Sequence, residues 1–377
     1  MSVHPRYRDP NLDPVWTRQA DVDRWAQIER ALLIELTDTD PGPISIPVES
    51  VATRELSTGH EVGAFLELYE DQLTDRQHRR RLHWGLTSSD LVDTGRQFAL
   101  VDTDRHLRRQ ATALATAVNQ LPDRVVPGRT HGQPASPTSY RHRWLAAAAN
   151  LQFVGTEPFK PWVMLSGATG RGRHLAPEHV VGIATRLGGQ PIANSTQVMP
   201  AHAVMRFLNN WQGLVMFCEQ VALDIRLGAM LQELTIDSVP VGSTAMPGKV
   251  NPAMAEQVCG LAKDWRAAYN AVAESRALWL DRDLHHSSVD RVQLPALAHL
   301  AGFMAGLVAV LLQARFRKVP QPWPLTSHSE DLLARVLNQC DVPRSVAYRA
   351  VAQQIWFKPD ATPQQIYDEV VAQLDTP

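Results

Sequence analysis

The chain has 377 residues, 44% of them apolar and 20% charged, which suits a soluble globular protein large enough for two or three domains. Lysine and arginine number 37 against 39 acidic residues, a net charge of −2, so no global basic field recruits nucleic acid or anionic lipid, and neither partner is expected. Cys218, Cys259 and Cys340 are odd in number and far apart, which excludes a disulfide framework and points to buried thiols in a reducing compartment.

In chain order, the first eight residues are polar and carry a proline, without the apolar segment of a signal peptide. Ile44, Ile46 and Val48 alternate briefly between prolines and read as a short extended connection. Ser57-Thr58-Gly59-His60-Glu61 opens a helix that continues through Phe65 and Leu68. His83-Trp84-Gly85-Leu86-Thr87-Ser88-Ser89-Asp90 places hydroxyls and an acid before the next helix, a capped N-terminus suited to anions. Leu107, Ala111, Leu114, Val118 and Leu121 then step by four and three, the stripe of a long helix.

Residues 122–137, which contain Gly128-Arg129-Thr130-His131-Gly132-Gln133-Pro134, read as a loop by their prolines and glycines. Residues 158–172 read as another; their Gly167-Ala168-Thr169-Gly170-Arg171-Gly172 imitates a phosphate cradle, but no strand precedes it in a βαβ unit. Two more stripes follow, Phe207-Trp211-Leu214-Cys218-Val221-Ile225 and Met254-Val258-Leu261-Trp265-Ala268-Val272. Between them, Gly242-Ser243-Thr244-Ala245-Met246-Pro247-Gly248-Lys249-Val250-Asn251-Pro252 packs glycines, hydroxyls and a lysine into one turn-rich stretch. Such a stretch can fold over an anion.

Residues 279–291 place Arg282, Ser287 and Arg291 in one segment. His285-His286 within it suggests metal only superficially, because adjacent residues face different ways and no acid or cysteine set completes a site. No metal and no cofactor is expected. Residues 294–312 are almost wholly apolar, with Gly302 and Gly306 at GxxxG spacing. A lone membrane span and a helix buried on every face both fit that run. The chemistry-bearing residues just before it favour the buried helix, so no membrane association is expected. The fold class is therefore all-α: a long-helix bundle over 94–315, between smaller helical domains at 1–93 and 316–377.

The segment 242–252 resembles, nearly letter for letter, the catalytic loop of the aspartase/fumarase superfamily. With the segments at 57–61, 83–90, 128–134 and 279–291 in this order, the chain is similar to the adenylosuccinate lyase branch. Arg6-Tyr7, Trp16, Gln197 and residues 344–348 extend the likeness over the whole chain. The resemblance implies a cytoplasmic homotetramer, with each site built from three subunits, that releases fumarate by β-elimination from a small-molecule N-succinyl purine nucleotide. Such chemistry needs a base for a weakly acidic carbon-bound proton, an acid for the leaving nitrogen, and cations for the carboxylates.

On that resemblance His131 is the general acid, paired with Glu256, and His60 is a second active-site histidine. Lys249 and Asn251, with Thr87 and Ser88, hold the succinyl carboxylates. Arg6, Tyr7, His83, Arg282, Ser287 and Arg291 hold the nucleotide, chiefly its phosphate. Gln197 holds substrate near the base or succinyl group. The sequence departs from the family at five places, among them the stretches 132–166 and 315–327, which are compressed or rewritten. Thr244 stands where the family has its serine base, with Ser243 the other hydroxyl beside it. Glu61 replaces an aspartate, and Ala201-His202 replaces an Arg-Asp pair. Those departures keep two alternatives open: a sister lyase acting on another succinyl or amino-acid compound, and a catalytically silent homologue that binds nucleotide.

Overall fold

Each stripe of apolar residues becomes one face of a long helix. The computed structural model describes residues 3–235, 241–242, 246, 250–313, 315–316 and 323–374. Before the first long helix come α1 (Arg18–Thr37), α2 (Val48–Thr58), α3 (Glu61–Gln72) and α4 (Arg76–Arg81). The helix α5 (Ser88–Gln120) leads into the hairpin β1 (Val125–Thr130) and β2 (Gln133–Ser139), then α6 (Tyr140–Ala147) and α7 (Pro177–Arg186). Three more long helices follow, α8 (Ala201–Met230), α9 (Ala253–Glu274) and α10 (His285–Leu311). The chain ends with α11 (Ser329–Gln339), α12 (Arg344–Phe357) and α13 (Pro363–Leu374). The architecture is all-α as expected, and the expected division at residue 93 falls inside α5.

The chain forms two compact units. The first comprises Met1–Leu114, Asn150–Glu219 and Gln257–Val308. One of its cores gathers Trp25, Ile28, Leu32, Phe65 and Tyr69 with Leu91 and Ile183. Helix α1 starts where the Thr17 hydroxyl accepts the Ala20 N–H at 3.1 Å, and ends where Asp38 turns left-handed.

Elsewhere in this unit buried polar groups tie the long helices side by side. The Trp211 indole N–H donates to Asp104 at 3.2 Å, and Trp265 donates to the Leu297 carbonyl at 3.0 Å. Arg266 pairs with Glu219, and Gln110 donates to the Gly302 carbonyl at 3.2 Å. The two indole bonds satisfy polar atoms that burial would otherwise penalise, whereas the Arg266–Glu219 pair is partly exposed.

Helix α10 is long and apolar enough to cross a membrane, yet 67% of its apolar window is buried inside this one chain. Leu294, Leu297, Ala298, Ala301 and Met304 are all buried. Its Gly302 has a local purpose. A Cβ there would collide with the Asp9 carboxylate, whose Oδ2 lies 2.6 Å from His106 Nε2. The small residue admits an ion pair.

The second unit comprises Ala115–Ala149, Gln220–Glu256 and Ala309–Pro377. Its helices α11, α12 and α13 close over Leu332, Val336, Val351, Ile355, Ile366 and Val370. The stretch 122–137, expected as a loop, contains most of an antiparallel hairpin instead. Prolines at 127, 134 and 137 hid it. A two-stranded ladder has an open edge on each strand, so it accommodates residues that cannot donate. The register shifts between Pro127 and Gly128, where Gly128 lies against the Ser136 carbonyl with no room for a Cβ.

Candidate active site

Within the first unit, segments far apart in sequence meet around a cleft of about 190 Å³. Its lining includes His60, Glu61, Ser88, Arg282, Ser287 and Arg291, six residues singled out by sequence. His60 caps α3: its Nδ1 accepts the Gly63 N–H at 3.1 Å, so a neutral ring carries its proton on Nε2. Glu61, the first residue of that helix, receives Arg18 at 2.6 Å on one oxygen and Arg291 at 3.1 Å on the other. Arg282 is held by an amide instead, donating to Gln197 Oε1 at 2.6 Å. Gln197 in turn donates to the Ala168 carbonyl at 2.9 Å.

The hydroxyl-rich segment is shaped by buried Asp90. Its Oδ2 accepts the Thr87 N–H at 2.7 Å and the Thr87 hydroxyl at 3.1 Å. It also accepts the backbone N–H groups of Ser166 at 2.8 Å and Gly167 at 3.2 Å, fixing the glycine-rich turn against the start of α5. Burial pushes the Asp90 carboxyl upward, and these four donors oppose it. Thr87 is thus committed to capping, while Ser88 reaches the cleft. His83 sits behind the same turn, with its backbone N–H and its ring Nδ1 both on Glu29.

Beneath the cleft lies a charged cluster that sequence reasoning missed. Arg96 bridges Asp93 at 3.2 Å and Asp290 at 3.1 Å, and Arg276 also pairs with Asp290. His286 is buried beside them, its Nδ1 without a hydrogen-bond partner among the described residues, and burial holds it below the ordinary histidine value. His285, its neighbour, is exposed and pairs with Asp283; the two rings lie 6.4 Å apart at 85°. No local pattern announces such a cluster. Asp93, Arg96, Arg276 and Asp290 come from three helices or their ends, and only the packing joins them.

The remaining predicted residues lie elsewhere. Arg6 and Tyr7 occupy a 3-10 turn, Pro5–Tyr7, where Tyr7 packs edge-on against Phe303 at 5.6 Å; neither lines the cleft. His131, Asn251 and Glu256 belong to the second unit. His131 sits at the hairpin tip with φ +53, followed by Gly132 at φ +75, a tight turn that holds the imidazole exposed. Glu256 is exposed in the first turn of α9, and among the described residues it makes no ion pair or hydrogen bond with His131. Asn251 pairs with Val241 in a two-residue ladder. Ser243, Thr244 and Lys249 lie outside the described residues.

A family model described as lyase matches residues 49–264. The adenylosuccinate lyase of Thermotoga maritima is 30% identical over 313 residues, covering 77% of this chain and 72% of that protein. Its counterpart in Archaeoglobus fulgidus is 29% identical over 330 residues, covering 78% of this chain and 72% of that protein. Among solved structures, a fumarate lyase from Mesorhizobium sp. BNC1 superposes with a TM-score of 0.76 at 17% identity, over 98% of this chain and 92% of that one. A beta-carboxy-cis,cis-muconate cycloisomerase from Acinetobacter calcoaceticus sp. ADP1 gives 0.68 at 18%, over 97% and 94%. The two structural likenesses establish the shared fold. The family match over more than half the chain, with these relatives, establishes descent: the chain belongs to the aspartase/fumarase superfamily of lyases, in its adenylosuccinate lyase branch of C–N lyases.

Proposed function

We propose that the protein releases fumarate by β-elimination from an N-succinyl purine nucleotide of the adenylosuccinate type. The observation that carries this reading is the grouping of Arg282, Ser287 and Arg291 with Ser88 and His60 in one cleft. Guanidinium groups and a hydroxyl suit a phosphate dianion, which they bind through charge-assisted hydrogen bonds. Ser88 lies at the N-terminus of α5, where the helix dipole favours a carboxylate.

In this reading Thr244 removes the proton from the carbon next to the departing nitrogen's carbon. The C–N bond electrons leave with nitrogen, His131 protonates it, and fumarate and the amine part. Lys249 neutralises the carboxylate into which the carbanion's charge spreads, and Asn251 holds it by hydrogen bonding. His131 acts with Glu256, and the exposed positions of both suit partners on different subunits of a cytoplasmic homotetramer. Gln197 serves as the brace that aims Arg282, and His83, Arg6 and Tyr7 complete the nucleotide's surroundings.

A second reading, a sister lyase for another succinyl compound, has one observation behind it. Where the family carries an Arg-Asp pair, His202 packs edge-on against Trp162 at 4.4 Å and opens α8. The test is fumarate release by the purified protein from adenylosuccinate, its deoxy and 2-amino analogues, the succinyl-carboxamide ribotide, argininosuccinate, aspartate and malate. Turnover of the purine compounds upholds the first reading and turnover of the others the second. Silence on all of them leaves a nucleotide-binding homologue.

A further inference from the structure

Arg291 reaches the cleft already paired. Among the described residues its one acidic partner within ion-pair distance is Glu61, at 3.1 Å. The other oxygen of Glu61 holds Arg18 at 2.6 Å, and Arg18 lies 3.9 Å from Glu55. Glu61 is only 17% exposed, whereas Arg18 and Arg291 are 57% and 61% exposed. The carboxylate is therefore the anchored member, and the arginines are the ones able to turn. Arg282 differs, because its partner Gln197 is uncharged and, among the described residues, it has no acid within ion-pair distance.

These contacts set up a competition. A phosphate arriving at Arg282 and Ser287 meets Arg291 neutralised by a carboxylate that repels it. Arg291 can serve the phosphate only by leaving Glu61, and Glu61 can be left only if another cation keeps it neutral. Arg18 stands at that place. The longer glutamate matters here, since it spans two guanidinium groups on opposite sides.

Resting on the reading of this cleft as a phosphate site, we infer that Arg18 and Glu61 form a counter-ion relay that sets how strongly Arg291 binds the substrate's phosphate. Arg18 holds Glu61 when Arg291 turns to the ligand, and takes no part in the elimination itself. Arg18 is a positioning residue, and Glu61 limits anion affinity.

Binding of inorganic phosphate, measured by calorimetry at fixed ionic strength and pH on the full chain, tests the relay. Glu61→Gln should tighten phosphate binding roughly two- to fivefold, the size of effect expected of a partly exposed ion pair. Arg18→Gln should weaken it by a similar factor, because Glu61 then clings to Arg291. The double variant should bind as Glu61→Gln does. A merely structural role predicts no gain in any variant. Phosphate binding in Glu61→Gln that is unchanged or weaker overturns the relay. Arg18→Gln, a change at a largely exposed residue, supplies the same decision should Glu61→Gln not fold: unchanged binding there also overturns it. Loss of binding in Arg282→Gln upholds the phosphate site whatever the relay does. Binding by neither parent nor Glu61→Gln overturns both.

Discussion

His83 gives Glu29 two bonds at once, its backbone N–H at 3.0 Å and its ring Nδ1 at 2.6 Å. Glu29 is fully buried in α1, and His83 has a φ of +55, a region that costs a non-glycine residue energy. The carboxylate holds that turn in place and fixes the tautomer, so a neutral His83 ring presents Nε2 as an acceptor. Glu29→Gln keeps the shape and removes the charge. It should lower stability by about 1–3 kcal/mol and raise KM for the nucleotide substrate. Urea unfolding and steady-state fumarate release measure both; unchanged values in each would show that Glu29 does not support the site.

The hairpin that carries His131 is pinned near its tip and beyond its open end by another buried acid. Glu233 accepts Arg129 at 2.7 Å from β1 and the Tyr140 hydroxyl at 2.7 Å from the residue after β2. Burial and the hydrogen bond to Glu233 keep the Tyr140 hydroxyl protonated far above the ordinary tyrosine range. Glu233→Ala strands both donors and should cost about 2–4 kcal/mol of stability. Turnover should fall with it, since the proposed general acid rides on the tip. His131→Ala removes that acid directly and should lower kcat by roughly 10²–10⁴ with little loss of stability. Near-normal turnover in His131→Ala would remove the residue from its assigned role.

The contrast between these two acids and the helix stripes shows what the sequence makes legible. Phe207, Trp211, Leu214, Cys218, Val221 and Ile225 are all buried on one helix, because a period near 3.6 is a local property readable without knowing any partner. The active-site segments were legible for a different reason: each concentrates unusual residue types in a short run. Glu29, Asp93, Glu233 and Arg18 carry no such mark. They act through distant contacts: Arg18 with Glu61 43 positions away, Glu29 with His83 54 away, Glu233 with Arg129 104 away and Asp93 with the Met199 N–H 106 away. The hairpin is hidden because proline interrupts its alternation, and the buried setting of His286 because it depends on packing that no local run encodes.

Acid should weaken the fold through two histidines. His299 donates from Nδ1 to the Asp9 carbonyl at 3.2 Å, while its buried Nε2 has no hydrogen-bond partner among the described residues. Burial holds His299 and His286 below the ordinary value of 6.5, although Asp13 and Asp9 facing the first, and Asp93 and Asp290 facing the second, oppose the shift. Arg8 beside His299, and Arg276 and Arg96 beside His286, add to it. The folded state therefore stays neutral at pH values where the unfolded chain already takes up protons. Stability should fall as pH drops below 6.5, by at most about 1.4 kcal/mol per pH unit for each histidine. Urea midpoints at pH 7.5, 6.5 and 5.5 check this, and His299→Gln should flatten the dependence. A midpoint that rises on acidification to pH 5.5 would contradict it.

Thr244, not Ser243, is expected to supply the base. On the resemblance it stands at the position of the family's catalytic serine. A β-branched residue restricts χ1, so the added methyl confines the hydroxyl and crowds the substrate. Thr244→Ser should therefore keep or raise kcat. Thr244→Val preserves the branched shape while removing only the hydroxyl, and should abolish turnover without unfolding the protein. Ser243→Ala is the control and should cost less on this assignment. Stopped proton exchange at the substrate's β-carbon separates a lost base from a lost binding contact. Normal turnover in Thr244→Val, or inactivity confined to Ser243→Ala, would move the base to Ser243.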